Sequence, residues 1–269
     1  MLHACHDYRR FFSRWRTLAK SARIPLETVA TADGHTVIAI RSPALQSMAG
    51  MYLSAGIHGD EPAGCAGLLA WAEANQRQLR ELPLLIFPCL NPWGLTQNCR
   101  TDSRGNDLNR VFHKRRNATV SGVHRVAAAH DFRAALMLHE DFDGEGAYLY
   151  EHATDVPFAE PLLGAAERHI PRDPRRRIDG RRAQNGVLRP RITADLVDNF
   201  GLPEAVWLYQ RGCDNSVTFE TPSEFALESR VAAHVAVIEK AVELFTLTTW
   251  PREIPPRRTP SAGPGGGPK

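Results

Sequence analysis

Two polar residues in a glycine-rich turn have the types and spacing of metal ligands. His58 and Glu61 lie in GIHGDEP, directly after the apolar run GMYLSA at residues 50–55. Imidazole and carboxylate groups are both good zinc ligands. If the apolar run is a strand, both side chains can point outward from the carboxyl end of a sheet, where α/β folds bind ligands. A lone H-x-x-E also arises by chance, so this pair alone leaves an ordinary polar turn as an alternative.

A second polar group lies in the segment 91–110, NPWGLTQNCRTDSRGNDLNR, which follows an apolar run. Its richness in Asn, Asp, Gly and Arg predicts a long loop at the same end of the sheet, and such loops tend to be functional. Arg100, Asn109 and Arg110 suit a substrate carboxylate or an oxyanion, because arginine forms bidentate hydrogen bonds and keeps its charge. Surface arginines in a loop that is structured by its own Asn and Asp residues are an equal alternative.

Two further polar residues end predicted buried strands. His139 ends AALMLH, residues 134–139, and Glu220 ends SVTFE, residues 216–220. A histidine after five apolar residues is often only a strand terminator. The glutamate could simply be an acid near the positive end of the following helix. The residues alone leave both alternatives open.

The ordered combination of HGDE, NPWG and an arginine before GNDLNR resembles the zinc carboxypeptidase family and its amidohydrolase relatives. Those relatives include aspartoacylase, succinylglutamate desuccinylase and murein-peptide amidases. Arg100 lies ten positions before Arg110, as the family pattern requires, whereas Arg104 does not. The resemblance spans roughly residues 50–225.

The resemblance implies a zinc metallocarboxypeptidase-like amidohydrolase. Such an enzyme uses metal-activated water to cleave an amide bond in a carboxylate-bearing substrate, either a C-terminal peptide or an N-acyl amino acid. His58, Glu61 and His139 would bind one zinc ion per chain, and two histidines with one carboxylate leave an open position for water. The same zinc machinery serves peptidases and deacylases, so the substrate stays open.

The resemblance also assigns roles to the remaining residues. Glu220 would be the general base, in preference to Glu224, because that role suits a carboxylate on a rigid strand end. Arg100 would stabilise the oxyanion, and Asn109 and Arg110 would hold the substrate carboxylate. The family also uses a tyrosine that contacts substrate, and the conceivable positions here are Tyr148, Tyr150 and Tyr209.

Alternating strand and helix patterns predict a mixed, largely parallel central sheet flanked by helices. Residues 1–22 read as an amphipathic helix, and ETVATADGHTVIAI reads as a hairpin with its turn at Asp33-Gly34. Further buried strands are predicted within 50–55, 82–90, 134–139 and 216–220. Further helices are predicted at 63–79, 118–131, 158–168 and 223–246, the last beginning at Pro222 and Ser223.

Composition places the chain among ordinary globular proteins, with 43% hydrophobic residues, 23% charged residues and a net charge of +3. We expect a single domain over residues 1–250 and a disordered Pro/Gly-rich tail over 251–269. No apolar run is long enough to span a bilayer, and the basic N-terminus lacks the pattern of a signal peptide, so a cytoplasmic location is expected. The five cysteines contain no CxxC pair and are expected to be free thiols.

Two other functional classes compete with a hydrolase. One is a non-catalytic metal-binding or ligand-binding module of the same fold. The other is nucleic-acid binding through the arginine-rich segment 172–191, but the chain is only mildly basic and has no recognisable nucleic-acid motif. Two other interpretations of that segment are a solvent-exposed surface loop and a basic rim that attracts an anionic ligand. We therefore expect a small peptide or an N-acyl amino acid as the partner, with neither nucleic acid nor a membrane.

Overall fold

The computed structural model describes residues 4–46, 49–154, 156–193, 197–198 and 201–248. Within them the chain forms ten strands, eight α-helices and two short 3-10 helices, Ala4–His6 and Pro43–Gln46. The strands are β1 (Leu26–Ala32), β2 (His35–Arg41), β3 (Gly50–Ala55), β4 (Leu84–Phe87), β5 (Phe132–Asp141), β6 (Tyr148–Ala153), β7 (Arg177–Ile178), β8 (Arg181–Arg182), β9 (Val187–Leu188) and β10 (Asn215–Pro222). The helices are α1 (Tyr8–Ala22), α2 (Pro62–Ala74), α3 (Gln76–Glu81), α4 (Pro92–Gln97), α5 (Ala118–Ala127), α6 (Ala159–Ala166), α7 (Glu204–Gln210) and α8 (Leu227–Leu247). None of these helices is long and apolar enough to cross a membrane.

One eight-stranded sheet forms the middle layer, in the order β1-β2-β4-β3-β5-β10-β6-β9. The four central strands β4, β3, β5 and β10 run parallel. The β1–β2, β2–β4 and β10–β6 pairs are antiparallel. The predicted fold class, a mixed and largely parallel sheet flanked by helices, is confirmed.

Helices cover both faces of this sheet because its central strands are apolar on both sides. On one face, α1, α2, α6 and α8 pack against alternate residues of β3 and β5, such as Leu53 and Leu136. On the other face, α5 and α7 pack against the intervening residues, such as Tyr52 and Met137. The parallel centre is therefore rigid and fully buried, and only the strand ends are available to form a site.

Several predicted elements are confirmed with small changes. The first helix is formed over Tyr8–Ala22, and the hairpin turns at Asp33-Gly34, where both residues have positive φ. The helix predicted over 63–79 is instead two helices, since Asn75 leaves the helical region and its side chain donates to the Trp71 carbonyl at 2.9 Å. All five cysteines are free. The predicted tail, residues 251–269, lies outside the described residues.

The predicted start of the last helix was wrong. Pro222 still pairs with Asp141 in the sheet, and the Ser223 amide donates to the Asp141 carbonyl at 2.9 Å. The extended pairing with β5 thus continues past Glu220, and α8 begins only at Leu227. The predicted loop 91–110 was also partly wrong, because its first residues form α4. The sequence reading missed β6 and α7 altogether.

Acid sensitivity is expected from His234, which is fully buried in α8 with Nε2 3.1 Å from Thr221 Oγ1. Burial, with the positive charges of His139 and Arg230, lowers the pKa of His234 to about 3. The unfolded chain takes up this proton near pH 6.5, so stability is lost as pH falls from there towards 3. By pH 5 the loss amounts to about 2 kcal/mol.

Urea unfolding at pH 7 and pH 5 tests this expectation. His234→Gln should remove about 2 kcal/mol of the pH dependence. His113→Gln, at an exposed position, controls for the loss of an imidazole. An equal acid loss in the wild type and in His234→Gln would contradict the assignment.

Candidate metal centre and active-site cavity

Three neighbouring parallel strands bring the predicted site residues to one edge of the sheet. Ala55, the last residue of β3, pairs with Leu138 of β5, and His139 pairs with Glu220 of β10. Residues paired in neighbouring parallel strands direct their side chains to the same face. The turn after β3 therefore lies beside His139, and His139 lies beside Glu220.

The turn after β3 needs its glycines for two different reasons. Gly56 has φ +61°, a left-handed conformation that favours glycine. Gly59 lies against Gly94 of α4, so closely that a Cβ on Gly59 would be 1.9 Å from the Gly94 carbonyl carbon. Pro62 is the first residue of α2, one residue before the predicted start. The HGDE and NPWG motifs are thus packed against each other.

His58, Glu61 and His139 form a buried group of donors that could hold a metal ion, with one donor atom from each lying within 4.8 Å of the others. His58 Nδ1 is 2.5 Å from Glu61 Oε1, and His139 Nδ1 is 2.9 Å from Glu61 Oε2. All three residues are 4% exposed or less. Their assignment as ligands stays a prediction, but the structure brings all three together.

The electrostatics of this group favour the anionic state of Glu61 that a metal ion requires, whereas the neutral imidazole required at His58 is not favoured in the metal-free protein. Burial raises the pKa of Glu61, but the two imidazoles outweigh burial and hold that pKa well below its ordinary value. Burial lowers the pKa of His58, whereas Glu61 and Asp107 raise it to a net value above the ordinary one. Glu61 is therefore an anion within the protein, ready to balance a cation.

Asp107 is a candidate site residue that the sequence did not single out. Its Oδ1 lies 3.2 Å from His58 Nε2, on the far side of the ring from Glu61. Its Oδ2 accepts a hydrogen bond from Arg100 Nε at 3.0 Å. Carboxylates in this position fix the orientation and tautomer of a ligating histidine. The signal was present in the sequence, since Asp107 opens the DLNR motif.

Replacing Asp107 by asparagine is expected to weaken metal binding about 10- to 100-fold, as is typical when the partner of a ligating histidine is lost. Competition with a chromophoric chelator would measure the metal dissociation constant. Asp102→Asn is a matched control, because Asp102 lies in the same loop and binds Asn106 and Asn117 rather than a histidine. Equal affinities for Asp107→Asn and wild type would exclude the orienting role.

Arg100 lies beside the candidate metal centre, with 42% of its side chain exposed. Its NH1 is 3.5 Å from Glu61 Oε1, and its Nε is bonded to Asp107. The backbone around it is held by Asn91, whose Nδ2 donates to the Thr101 carbonyl at 3.0 Å. Asn91 Oδ1 also caps α4 by accepting from the Gly94 amide at 2.9 Å. The NPWG motif thus positions the arginine of the next motif.

Asn109 and Arg110 line the same cavity as His58, Glu61 and Arg100. The Asn109 Oδ1 accepts a hydrogen bond from the Glu204 backbone amide at 2.9 Å. Because a backbone amide only donates, this contact fixes which end of the Asn109 side chain is oxygen. The Asn109 Nδ2 group is consequently not the group that contacts the Glu204 amide.

Glu220 also lines this cavity and is 9% exposed. Burial raises the pKa of Glu220 well above the ordinary range, with Glu61 and Asp141 adding to the effect and His139 opposing it. Glu220 thus places a buried carboxyl group in the cavity wall, next to His139 in the sheet. Such a group is a candidate acid–base catalyst.

The cavity extends from Glu220 along the face of β6 and has a volume of about 530 Å³. Alternate residues of β6 line it, namely Tyr148, Tyr150 and His152. The Tyr148 hydroxyl donates to Asp141 at 3.0 Å, and the Tyr150 hydroxyl donates to Asp179 at 2.6 Å. Of the three tyrosines considered from the sequence, two therefore lie in the cavity wall. Tyr209 is not among the lining residues.

The arginine-rich segment 172–191 folds against the cavity and supplies part of its wall. Arg181 lines the cavity. Other arginines form ion pairs away from its centre: Arg172 with Glu160 and Glu167, Arg175 with Asp173, and Arg189 with Glu151. The segment is therefore an ordered part of the cavity wall, with one arginine lining the cavity. It is neither a purely solvent-exposed excursion nor a rim made of arginines.

Comparison with known families confirms the resemblance that the motifs indicated. Residues 47–143 match the family described as the succinylglutamate desuccinylase/aspartoacylase catalytic domain. The matched residues include His58, Glu61, Arg100 and His139, whereas Glu220 lies beyond them. The sequence matches no curated protein.

Solved structures share the fold. A Shewanella amazonensis protein described as a candidate metallopeptidase aligns with 21% identity over 89% of this chain and 94% of its own, with a TM-score of 0.78. A Burkholderia cenocepacia metallo-carboxypeptidase aligns with 16% identity over 88% and 69%, with a TM-score of 0.61. The Pseudomonas aeruginosa metallo-carboxypeptidase, solved with (2-guanidinoethylmercapto)succinic acid, aligns with 18% identity over 87% and 68%, also at 0.61. At these identities the likeness establishes a carboxypeptidase-like fold.

Proposed function

We propose that this chain, which has the catalytic-domain pattern of succinylglutamate desuccinylases and aspartoacylases on a carboxypeptidase-like fold, is a zinc-dependent amidohydrolase. Its substrate is a small peptide or an N-acyl amino acid with a free carboxylate next to the bond that is cut. The observation that supports this most is the convergence of three strand ends. They place the buried donors His58, Glu61 and His139 beside the buried acid Glu220.

The donor set fits zinc. Two imidazole nitrogens and one carboxylate form a three-residue site of the catalytic type, and Asp107 supports one of the imidazoles. The absence of thiolate from the group distinguishes it from most structural zinc sites. Bound here, zinc would act as a Lewis acid that lowers the pKa of water and polarises the substrate carbonyl.

The remaining chemistry belongs to side chains of this protein. Glu220 takes the proton from the attacking water and gives it to the leaving amine, a double role that suits a carboxyl group in the cavity wall beside the donor group. Arg100 donates hydrogen bonds to the oxyanion of the tetrahedral intermediate. Asn109 Nδ2 and Arg110 hold the substrate carboxylate and thereby determine which amide bond is placed beside Glu220.

Carboxylate recognition has additional support from a protein of the same fold. The Pseudomonas aeruginosa metallo-carboxypeptidase was solved with a succinic acid derivative, which has two carboxyl groups. In this chain Arg100, Arg110 and Arg181 all line the cavity. Each of these arginines can bind a carboxylate through bidentate hydrogen bonds, and the five acidic residues that also line the cavity leave this recognition to local contacts rather than to net charge.

A substrate panel tests the proposal directly. The purified wild type would be loaded with zinc, freed of excess metal, and analysed for metal content. It would then be assayed on hippuryl-type peptides, N-acyl amino acids and γ-linked peptides, each with a free or amidated carboxyl group. We expect one zinc ion per chain and turnover of one class, with the free carboxylate preferred.

Two outcomes would count against the proposal in different ways. If the loaded protein holds no stoichiometric metal, the assignment of His58, Glu61 and His139 as metal ligands is wrong. If it holds metal but turns over no substrate in the panel, the alternative of a non-catalytic binding module of the same fold gains support. Preference for an amidated over a free carboxyl group would remove Asn109 and Arg110 as the carboxylate clamp.

A further inference from the structure

We infer that Glu204 is a positioning residue that fixes the distance between the substrate-carboxylate clamp and the metal centre. The inference rests on the proposed function, because the clamp is Asn109 and Arg110. Glu204 is the first residue of α7, is 1% exposed, and belongs to none of the groups assigned above to chemistry or metal binding. A buried carboxylate is costly unless its oxygens are bonded, so its retention at this point needs a structural reason.

The Glu204 carboxylate is bonded to β3, the strand that leads into the His58 turn. One oxygen accepts a short hydrogen bond from the Tyr52 hydroxyl, and the other accepts from Ser54 Oγ at 3.0 Å. Tyr52 and Ser54 are both buried on the same face of β3. Glu204 therefore ties the first turn of α7 to the strand that places the metal ligands.

The backbone of the same residue holds the clamp. The Glu204 amide donates to Asn109 Oδ1 at 2.9 Å, which orients the Asn109 side chain. Nearby, the Leu202 amide donates to the Arg110 carbonyl at 3.0 Å. Gly201 lies so close that a Cβ there would be 2.1 Å from the same carbonyl oxygen. The clamp and the start of α7 thus form one bonded unit.

Glu204 consequently links β3 to the clamp of Asn109 and Arg110, two parts of the chain that are far apart in the sequence. Its carboxylate is bonded to β3, and its amide is bonded to the clamp. Pro203, Ala205 and Val206 beside it form one wall of the cavity. Burial raises the pKa of Glu204, and the rings of His139 and His58 are near enough to oppose that shift.

The sharpest test removes the hydroxyl donors and leaves Glu204, the clamp and the cavity wall intact. The double variant Tyr52→Phe/Ser54→Ala takes away both bonds from β3 to the carboxylate. Tyr8→Phe/Ser42→Ala is a matched control, since it removes a buried tyrosine hydroxyl and a buried serine hydroxyl whose partners are the Thr36 carbonyl and the Leu84 amide. If the double variant does not fold, Ser54→Ala alone replaces it.

Two measurements are made on the zinc-loaded proteins. Steady-state kinetics on the substrate found in the panel should show KM raised about 10- to 100-fold with little change in kcat, as expected when a substrate clamp is displaced by a fraction of an ångström. The side-chain NH2 signal of Asn109 in a ¹⁵N NMR spectrum, assigned with Asn109→Asp, should shift or broaden. The control should change neither.

An unchanged KM together with an unchanged Asn109 signal would overturn the inference. A fall in kcat and metal content at constant KM would also overturn it, because Glu204 would then support only the metal strand. If the wild type turns over nothing in the panel, the proposed function fails separately, and the Asn109 signal alone decides whether Glu204 positions that residue.

Discussion

Replacing Glu220 by glutamine is expected to lower kcat by about 10²- to 10⁴-fold, the usual contribution of a general acid–base catalyst, while the protein keeps its metal. The amide has nearly the same shape as the carboxyl group but cannot accept the proton of the attacking water. Metal is retained because Glu220 is not one of the three residues whose donor atoms lie together, which are His58, Glu61 and His139. Single-turnover kinetics and metal analysis of the same preparation would measure both effects.

The control for this variant is Glu224→Gln, four residues further on. Glu224 was the competing candidate in the sequence, but it lies after the end of β10 and does not line the cavity. Its substitution should leave kcat close to that of wild type. If Glu220→Gln keeps wild-type turnover, Glu220 is not the base. If the variant instead loses both metal and turnover, Glu220 is a ligand.

The family resemblance selected Glu220, and the geometry of a parallel sheet explains why this residue lies beside the other candidates. Strands with apolar residues on both faces must lie in the centre of such a sheet. A polar residue at the end of each strand then meets its neighbours at one edge. His139 and Glu220 are paired residues in adjacent strands, and the turn with His58 follows the next strand over. Three separate sequence segments thus predict one site.

Residues whose contacts depend on how loops and short helices pack could not be predicted from strand patterns. Asp107 contacts His58 only because Asn91 and the packing of Gly59 on Gly94 bring the two loops together. No periodicity encodes such a contact. Glu204 was overlooked for a related reason, since α7 is a seven-residue helix whose first residue is buried by tertiary contacts. Short elements have little pattern of their own.

The residues that form the wall of the cavity likewise could not be predicted from the sequence. β6 alternates Tyr148, Tyr150 and His152 towards the cavity, but nothing in YLYEHA shows that its partner is the strand with Glu220. The role of Arg181 depends on the β7–β8 hairpin, in which each strand has two residues. The cavity wall therefore depends on long-range packing, whereas the residues proposed for the chemistry lie in recognisable motifs.

Replacing His139 by alanine is expected to weaken metal binding by well over 100-fold. Loss of a residue that only hydrogen-bonds a ligand costs up to roughly 100-fold, and this variant removes one of the proposed ligands itself. Turnover should be lost with the metal. In the metal-free protein His139 Nδ1 also lies 2.9 Å from Glu61 Oε2, so the variant leaves a buried carboxylate with one imidazole partner fewer. The metal-free variant should consequently be less stable than the metal-free wild type.

Thermal unfolding with and without zinc separates these two effects. A ligand that binds only the folded state stabilises it by about 2.7 kcal/mol at a concentration 100 times Kd, so the wild type should show a clear zinc-dependent rise in Tm. His139→Ala should show little or none. His152→Ala is the matched control, since His152 is also buried and lines the cavity but is not part of the donor group, and it should keep the zinc-dependent rise. A wild-type-like rise in His139→Ala would mean that the metal is held elsewhere, and the convergence of β3, β5 and β10 would then need a different explanation.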